Sequence, residues 1–303
     1  MKKRGTGISS IGYATGFYGG GDPNQAEIKL NMDGTFELLM GTSDLGQGCK
    51  TSYIQVAAET LDVPIESITL TNDDTDIIPF CMGAFASRAM FIGGNAIINA
   101  CNELKEKIKQ FAAPMLEAKA DQLEMADNKV FVKDNPDKAM GMADIGGAST
   151  FGGAYLVGAG AYRPAGPFEV DAKTGEMSSL AAAAFGACVI EVEVDTETGV
   201  VEVLKTYHAY EVGKAISPLI CKGQINGGAA MGIGMALTES AHHWYDSPPA
   251  NLLPLNMQQK IVLWLMRPLG CGLDSHYQRH WDDIHQIWKQ QAQHKLAMKA
   301  PVR

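Results

Sequence analysis

Long apolar runs are missing from this 303-residue chain: none approaches the roughly 18 to 20 uninterrupted apolar residues that a membrane helix needs. Met1-Lys2-Lys3-Arg4 leads into glycine and serine instead of an apolar signal core, so a cytoplasmic location and no membrane partner are expected. Beyond those four residues there is no basic cluster, and the net charge is −9, which excludes a phosphate-tracking nucleic-acid surface. No CxxC pair occurs among the six cysteines at 49, 81, 101, 188, 221 and 271. A zinc knuckle or disulfide framework is therefore not indicated, and the cysteines read as buried free thiols.

What is present is enough apolar residue, 46%, to build one large domain or two ordinary ones. Composition breaks near residue 240: of 33 glycines, 31 precede residue 242, while all four tryptophans and six of seven histidines follow residue 241. Residues 1–240 and 241–303 are accordingly read as a domain and an atypical tail, the tail having the composition of a frameshifted or truncated reading frame. His276 and His280 share a helical face, but HYQRH lacks the glutamate of a metallopeptidase motif, and no metal is assigned to it.

Ala26 to Leu30 and Thr35 to Met40 flank Asp33-Gly34, a hairpin signal that favours a primed turn. Ile54, Ala57, Ala58 and Leu61 predict an amphipathic helix, Ser67 to Thr71 a strand, and Ile97, Ala100, Cys101, Leu104, Ile108 and Phe111 a long helix over 92–117. Cys188 to Val194 and Val200 to Tyr207 flank the turn 195–199, and Pro218 suits the first turn of a helix reaching about Glu239. Hairpins alternating irregularly with helices predict an α+β fold rather than a doubly wound parallel sheet.

Three loops have chemical character. Gly46-Gln47-Gly48 precedes a helix whose first amides favour an anion; a simple glycine turn is the alternative. Gly83-Ala-Phe-Ala86-Ser87-Arg88 places a hydroxyl and a guanidinium beside helix-start amides, or else a serine cap and a surface arginine. From Gly223-Gln224 onward, five glycines in one helix ask for an offsetting close approach by another backbone or a flat ligand, with Gln224 able both to donate and to accept.

In this order the three segments resemble the molybdopterin-binding subunits of the xanthine dehydrogenase and aldehyde oxidase family. Asp44-Leu-Gly-Gln47-Gly looks like that family's GQG cofactor loop, Asp73 to Asp76 with Pro79 and the 83–95 run like its second cofactor segment, and Gly223-Gln224 like its third. The likeness covers about residues 4–240. It implies a molybdopterin-domain fold and a molybdopterin cofactor, as the cytosine dinucleotide, gripped by Gly46, Gln47, Gly48, Ala86, Ser87, Arg88 and Gln224, with molybdenum held through the pterin. It also places Phe17, Tyr18 and, less directly, Tyr13 against a flat aromatic substrate, where hydrophobic packing is the alternative.

The implied activity is oxidoreductase: hydroxylation of a purine- or nicotinate-like heterocycle or an aldehyde, with water as oxygen source. The implied partners are a second molybdenum-domain chain, an iron–sulfur subunit and an FAD subunit, as in the split-subunit nicotinate dehydrogenases. Glu211, Ser217 and Pro218 stand where the family usually has Asp and Asn-Pro. The family's general-base glutamate, in a Gly-x-Gly-Glu motif, has no counterpart here; Gly270-Cys-Gly272-Leu-Asp274 is only a faint echo. A second reading, an inactive cofactor-binding or assembly fragment, therefore stays open.

Overall fold

The computed structural model describes residues 1–17, 22–166, 171–176 and 180–238. It divides into two compact units, Met1–Asn226 and Gly227–Arg303; the described part of the second is the end of one helix. In chain order the elements are β1 (Lys2–Phe17), β2 (Asn24–Leu30), β3 (Phe36–Met40), α1 (Cys49–Leu61), β4 (Ile68–Thr71), α2 (Gly94–Ala112), β5 (Leu123–Ala126), β6 (Lys129–Val132), β7 (Asn135–Gly141), α3 (Met142–Phe151), β8 (Val157–Tyr162), β9 (Leu180–Asp195), β10 (Val201–Glu211) and α4 (Pro218–Leu237). The strands form three sheets, ordered β4-β3-β2-β8, β5-β6-β7 and β1-β9-β10. Among the described residues only β3 and β4 pair in parallel, so the α+β expectation holds.

The core lies on one face of the four-stranded sheet. Ala26, Ile28 and Leu30 of β2 and Phe36, Leu38 and Met40 of β3 alternate inward and are buried, each large side chain contributing about 1.5–3 kcal/mol on burial. On the opposite face Lys29 and Glu37, directly paired in register, form a 2.6 Å ion pair. The hairpin between these strands was legible, but its turn differs. The loop runs from Asn31 to Thr35, closed by Asn31 N–H to Thr35 O at 2.8 Å, and only Gly34 has positive φ, 85°; the five-residue loop relieves Asp33 of the left-handed conformation that a primed turn demands.

Helix α2 presents Ala96, Ile97, Ala100, Cys101, Leu104 and Ile108 to the core. It is shorter than its periodicity predicts: the helix proper runs 94–112, preceded by a wide π-helical turn at Ala89–Gly93 and ended ahead of Pro114. Strand β8 lets it lie directly on the sheet because Gly158 and Gly160 face it. A Cβ on either would stand 2.1–2.2 Å from the carbonyl oxygens of Ala100 and Ala96. The parallel β3–β4 pair is joined through α1, whose buried stripe adds Tyr53 and Val56 to the predicted Ala57, Ala58 and Leu61; Ile54 packs at its edge.

The β1-β9-β10 ribbon was only half legible: β9 and β10 pair around 195–199 as expected, with Gly199 at φ 74°. β1 joins β9 from Lys2 opposite Asp195 to Phe17 opposite Leu180, and its four glycines and mixed polarity give no alternation to reveal it. Among the described residues no helix is long and apolar enough to cross a membrane.

Candidate functional site

The end of β3 feeds the first of the three loops. Gly46 and Gly48 both hold left-handed φ, 105° and 82°, wrapping the chain around the Asp44 side chain. Its carboxylate accepts from the amides of Gly46 at 2.8 Å, Gly48 at 3.2 Å and Lys50 at 3.1 Å. The anion that the α1 start favours is thus the chain's own, which corrects the expectation of an open phosphate seat there. Burial works to raise the Asp44 pKa, but the three amide bonds outweigh it and the carboxyl sits below its usual range. Gln47 folds over the same loop: its Oε1 accepts from Leu45 N–H at 2.6 Å and its Nε2 donates to Ser43 O at 3.3 Å. Behind it, burial and the Asp44 charge push the Cys49 thiol up to about 11.

The second loop has another character. Gly83 has φ 108°, and Ala86 and Ser87, neither a glycine, sit at φ 46° and 54°. L-residues avoid this region because Cβ crowds the carbonyl. Among the described residues nothing accepts from the Ala86 or Ser87 amide, and Ser87 caps no helix. Arg88, by contrast, is wholly buried. Its Nε donates to Asp22 Oδ1, Nη1 to Gly83 O at 2.8 Å and to Cys81 Sγ at 3.3 Å, and Nη2 to Pro23 O at 2.7 Å. The guanidinium also lies 5.4 Å from the Phe85 ring centroid. All of these contacts are internal to the protein, where the sequence suggested a surface group facing a ligand.

Between the two loops lies a buried polar knot that sequence reasoning missed. Asn24 Nδ2 donates to Thr42 Oγ1 at 2.9 Å, Thr42 Oγ1 meets Cys81 Sγ at 2.9 Å, and Asn72 Nδ2 donates to Thr42 O at 3.1 Å. Tyr53, from α1, donates to Ala89 O at 3.0 Å. Its one sequence signal is weak: polar residues sit just past the apolar alternation at strand ends. Gly41 and Gly93 permit the crowding, since a Cβ on Gly41 would meet Pro79 O at 2.4 Å and one on Gly93 the Met40 side chain at 2.6 Å.

The third segment reaches the first at one point, where Ile220 near the start of α4 covers Gly48, 2.9 Å from where its Cβ would be. Lys214 and Glu59 pair at 3.3 Å nearby. Gln224 is exposed, no residue of α4 is buried, and a Cβ on Gly223 would meet nothing within 4 Å. The close backbone approach expected to offset the glycines is therefore not made at Gly223 by the described residues. Of the aromatic candidates, Tyr13 is 47% exposed on β1, Phe17 ends that strand, and Tyr18 lies outside the described residues, as do Glu239, Gly270 to Asp274 and the whole tail. The described cysteines are free thiols, Cys49 and Cys101 buried and Cys81, Cys188 and Cys221 partly exposed, the last three a departure from full burial.

Comparison with known proteins extends this picture. Residues 1–251 match the family model described as the molybdopterin cofactor-binding domain. A xanthine dehydrogenase molybdenum-binding subunit from Escherichia coli O157:H7 is 30% identical over 240 residues, covering 78% of this chain and 30% of that protein. The carbon monoxide dehydrogenase large chain of Afipia carboxidovorans is 28% identical over 220 residues, 73% of this chain and 26% of that one. Among solved structures, quinoline 2-oxidoreductase from Pseudomonas putida 86 superposes with a TM-score of 0.69 at 27% identity, covering 80% of this chain and 31% of that chain. The chain thus spans about 30% of the length of the curated relatives it matches. A match of the family model over most of the chain, on a fold shared with solved molybdenum enzymes, establishes that this protein belongs to the molybdopterin cofactor-binding domain family of xanthine dehydrogenase-type proteins.

Proposed function

We propose that this chain forms one wall of a molybdopterin site in a xanthine dehydrogenase-type hydroxylase, and that the assembly it completes hydroxylates a purine- or nicotinate-like heterocycle or an aldehyde, with water as oxygen source. The observation that carries this reading is the left-handed turn at Ala86 and Ser87, whose amides have no acceptor among the described residues. Successive backbone N–H groups around left-handed residues make concavities suited to anionic oxygens, and a dinucleotide form of the cofactor, here the cytosine dinucleotide, presents such oxygens. The residues present fit the group: the donors are neutral amides on a braced loop, and Gln47 beside Gly46 and Gly48 carries a group that can both donate and accept.

In this reading Ala86, Ser87, Gln47 and Gln224 hold and orient the cofactor, while Tyr13, Phe17 and Tyr18 pack against a flat aromatic substrate. When bound, the cofactor supplies the two-electron oxidation. A second molybdenum-domain chain, an iron–sulfur subunit and an FAD subunit complete the assembly, and no residue of this chain is assigned the general base. One fact favours an assembly: at and just before the second loop Ile77, Phe80, Met82 and Phe85 are between 41% and 62% exposed, a clustering of apolar side chains of the kind that marks interaction surfaces.

The test is purification of the tagged chain from its native host with metal and pterin analysis. Stoichiometric molybdenum and pterin with co-purifying iron–sulfur and flavin chains is the expected result. An intact chain free of molybdenum in cells that make the cofactor would overturn the reading.

A further inference from the structure

We infer that Asp22 and Arg88 are positioning residues: buried together, they hold Ala86 and Ser87 in the left-handed conformation and so keep two backbone amides open to an acceptor. Both side chains are completely buried, and Arg88 directs four hydrogen bonds to two separate stretches of chain, to the Asp22 side chain and Pro23 O at 22–23 and to Cys81 Sγ and Gly83 O at 81–83.

Stability alone does not account for the pair. A buried ion pair returns little net stability over well-packed apolar residues, and here Asp22 Oδ2 is buried without a hydrogen-bond partner among the described residues. What apolar residues cannot supply is direction. The Nη1 bond to Gly83 O at 2.8 Å ties the start of the segment that must turn through 86 and 87 to the residue that ends it, and the Nη2 bond to Pro23 O at 2.7 Å anchors that residue to a separate stretch of chain. Alanine and serine resist that turn by roughly 5- to 30-fold each relative to right-handed backbone, so the conformation needs an external brace. Phe85, stacked on the guanidinium, adds a third restraint immediately before the strained pair. The role is distinct from ligation, since the guanidinium's donors point to protein acceptors.

Two readouts on the full chain test this; only the second rests on the cofactor reading above. The first is the backbone 13C shifts of Ala86 and Ser87 in wild type, Arg88→Met and Asp22→Asn. The second is molybdenum per chain after purification from the native host, for the same variants and for Arg88→Met combined with Ala86→Gly and Ser87→Gly. We expect the shifts to leave the left-handed range in Arg88→Met, molybdenum to fall at least about tenfold, and the double glycine change to restore most of it, because glycine adopts the turn without a brace. If Arg88→Met fails to accumulate, Arg88→Lys and Asp22→Asn carry the comparison, with graded shifts expected. Left-handed shifts persisting in these variants would overturn the inference, as would a molybdenum loss that the glycines leave unchanged. Altered shifts in a chain whose wild type never carries molybdenum would support the brace and sink the cofactor reading.

Discussion

Replacing Gly160 of β8 with alanine puts the helix-on-sheet packing to the test. The added Cβ would lie 2.2 Å from Ala96 O, 2.3 Å from Ala100 N and 2.9 Å from Ala100 Cα. Ordinary contact begins near 3.4 Å, so α2 must retreat by about 1 Å, and no side-chain rotation helps because the obstacles are backbone. A gap of 0.5–1 Å forfeits about a quarter to a half of each dispersion contact it opens, and the retreat loosens Ile97, Ala100, Leu104 and Ile108 together. Overpacking of a compliant core costs about 1–3 kcal/mol; against a rigid helix the upper end, about 3 kcal/mol, is expected. Urea unfolding followed by far-ultraviolet circular dichroism would show it as a lower midpoint at unchanged slope. Gly158→Ala, 2.1 Å from Ala100 O, should behave alike. A cost below about 1 kcal/mol in both variants would show that α2 does not rest directly on β8.

Gly223→Ala in α4 should do the opposite, raising stability by up to about 1 kcal/mol through helix propensity, because its Cβ meets nothing within 4 Å among the described residues; a loss above 1 kcal/mol in the isolated chain would refute the open face. With the Cys49 thiol pushed up to about 11 and Cys101 to about 12, roughly one Cys49 in a thousand is thiolate at pH 8. Mass spectrometry after brief alkylation of the native protein should find Cys188 and Cys221 labelled and these two intact, and rapid labelling of Cys49 would contradict its burial. Because the Asp44 carboxyl sits below its usual range, its contribution is complete above the ordinary carboxylate pKa and disappears as pH falls through the depressed value. The gap in urea midpoint between wild type and Asp44→Asn should therefore be widest near neutral pH and close below about pH 4; a gap constant from pH 7 to 3 would remove the carboxylate from the account.

What the sequence disclosed followed periodicity. The α1 and α2 stripes, the β2–β3 hairpin and the β9–β10 pair all came from residues that repeat every two or every 3.6 positions. β5 to β8 and α3 escaped notice: α3 carries Gly146 against the Asn31 carbonyl, 2.2 Å from a would-be Cβ, and β8 has glycine in place of apolar side chains. At the site, the motifs located the loops but not their internal wiring. Asp44 is two to six residues from the amides it caps, and Asp22 is 66 residues from Arg88. No local pattern announces a partner at that distance, so a buried arginine reads as a surface one until the fold closes around it.

The pairing of β1 with β9 also governs when the protein can fold. Lys2 finds its partner at Asp195 and Phe17 at Leu180, so at ribosomal speeds of about 5–20 residues per second the first strand waits about 10 to 40 s for its mate. Throughout that wait it is a nascent, unpaired strand beside other nascent chains, the circumstance in which edge-to-edge association begins. Lys2, Lys3 and Arg4 at its head and glycines at 5, 7 and 12 make it a poor template meanwhile, the charges by repulsion and the glycines by weak strand preference. The low intrinsic strand character that hid β1 from sequence reasoning is thus what lets it remain single until translation delivers its partner.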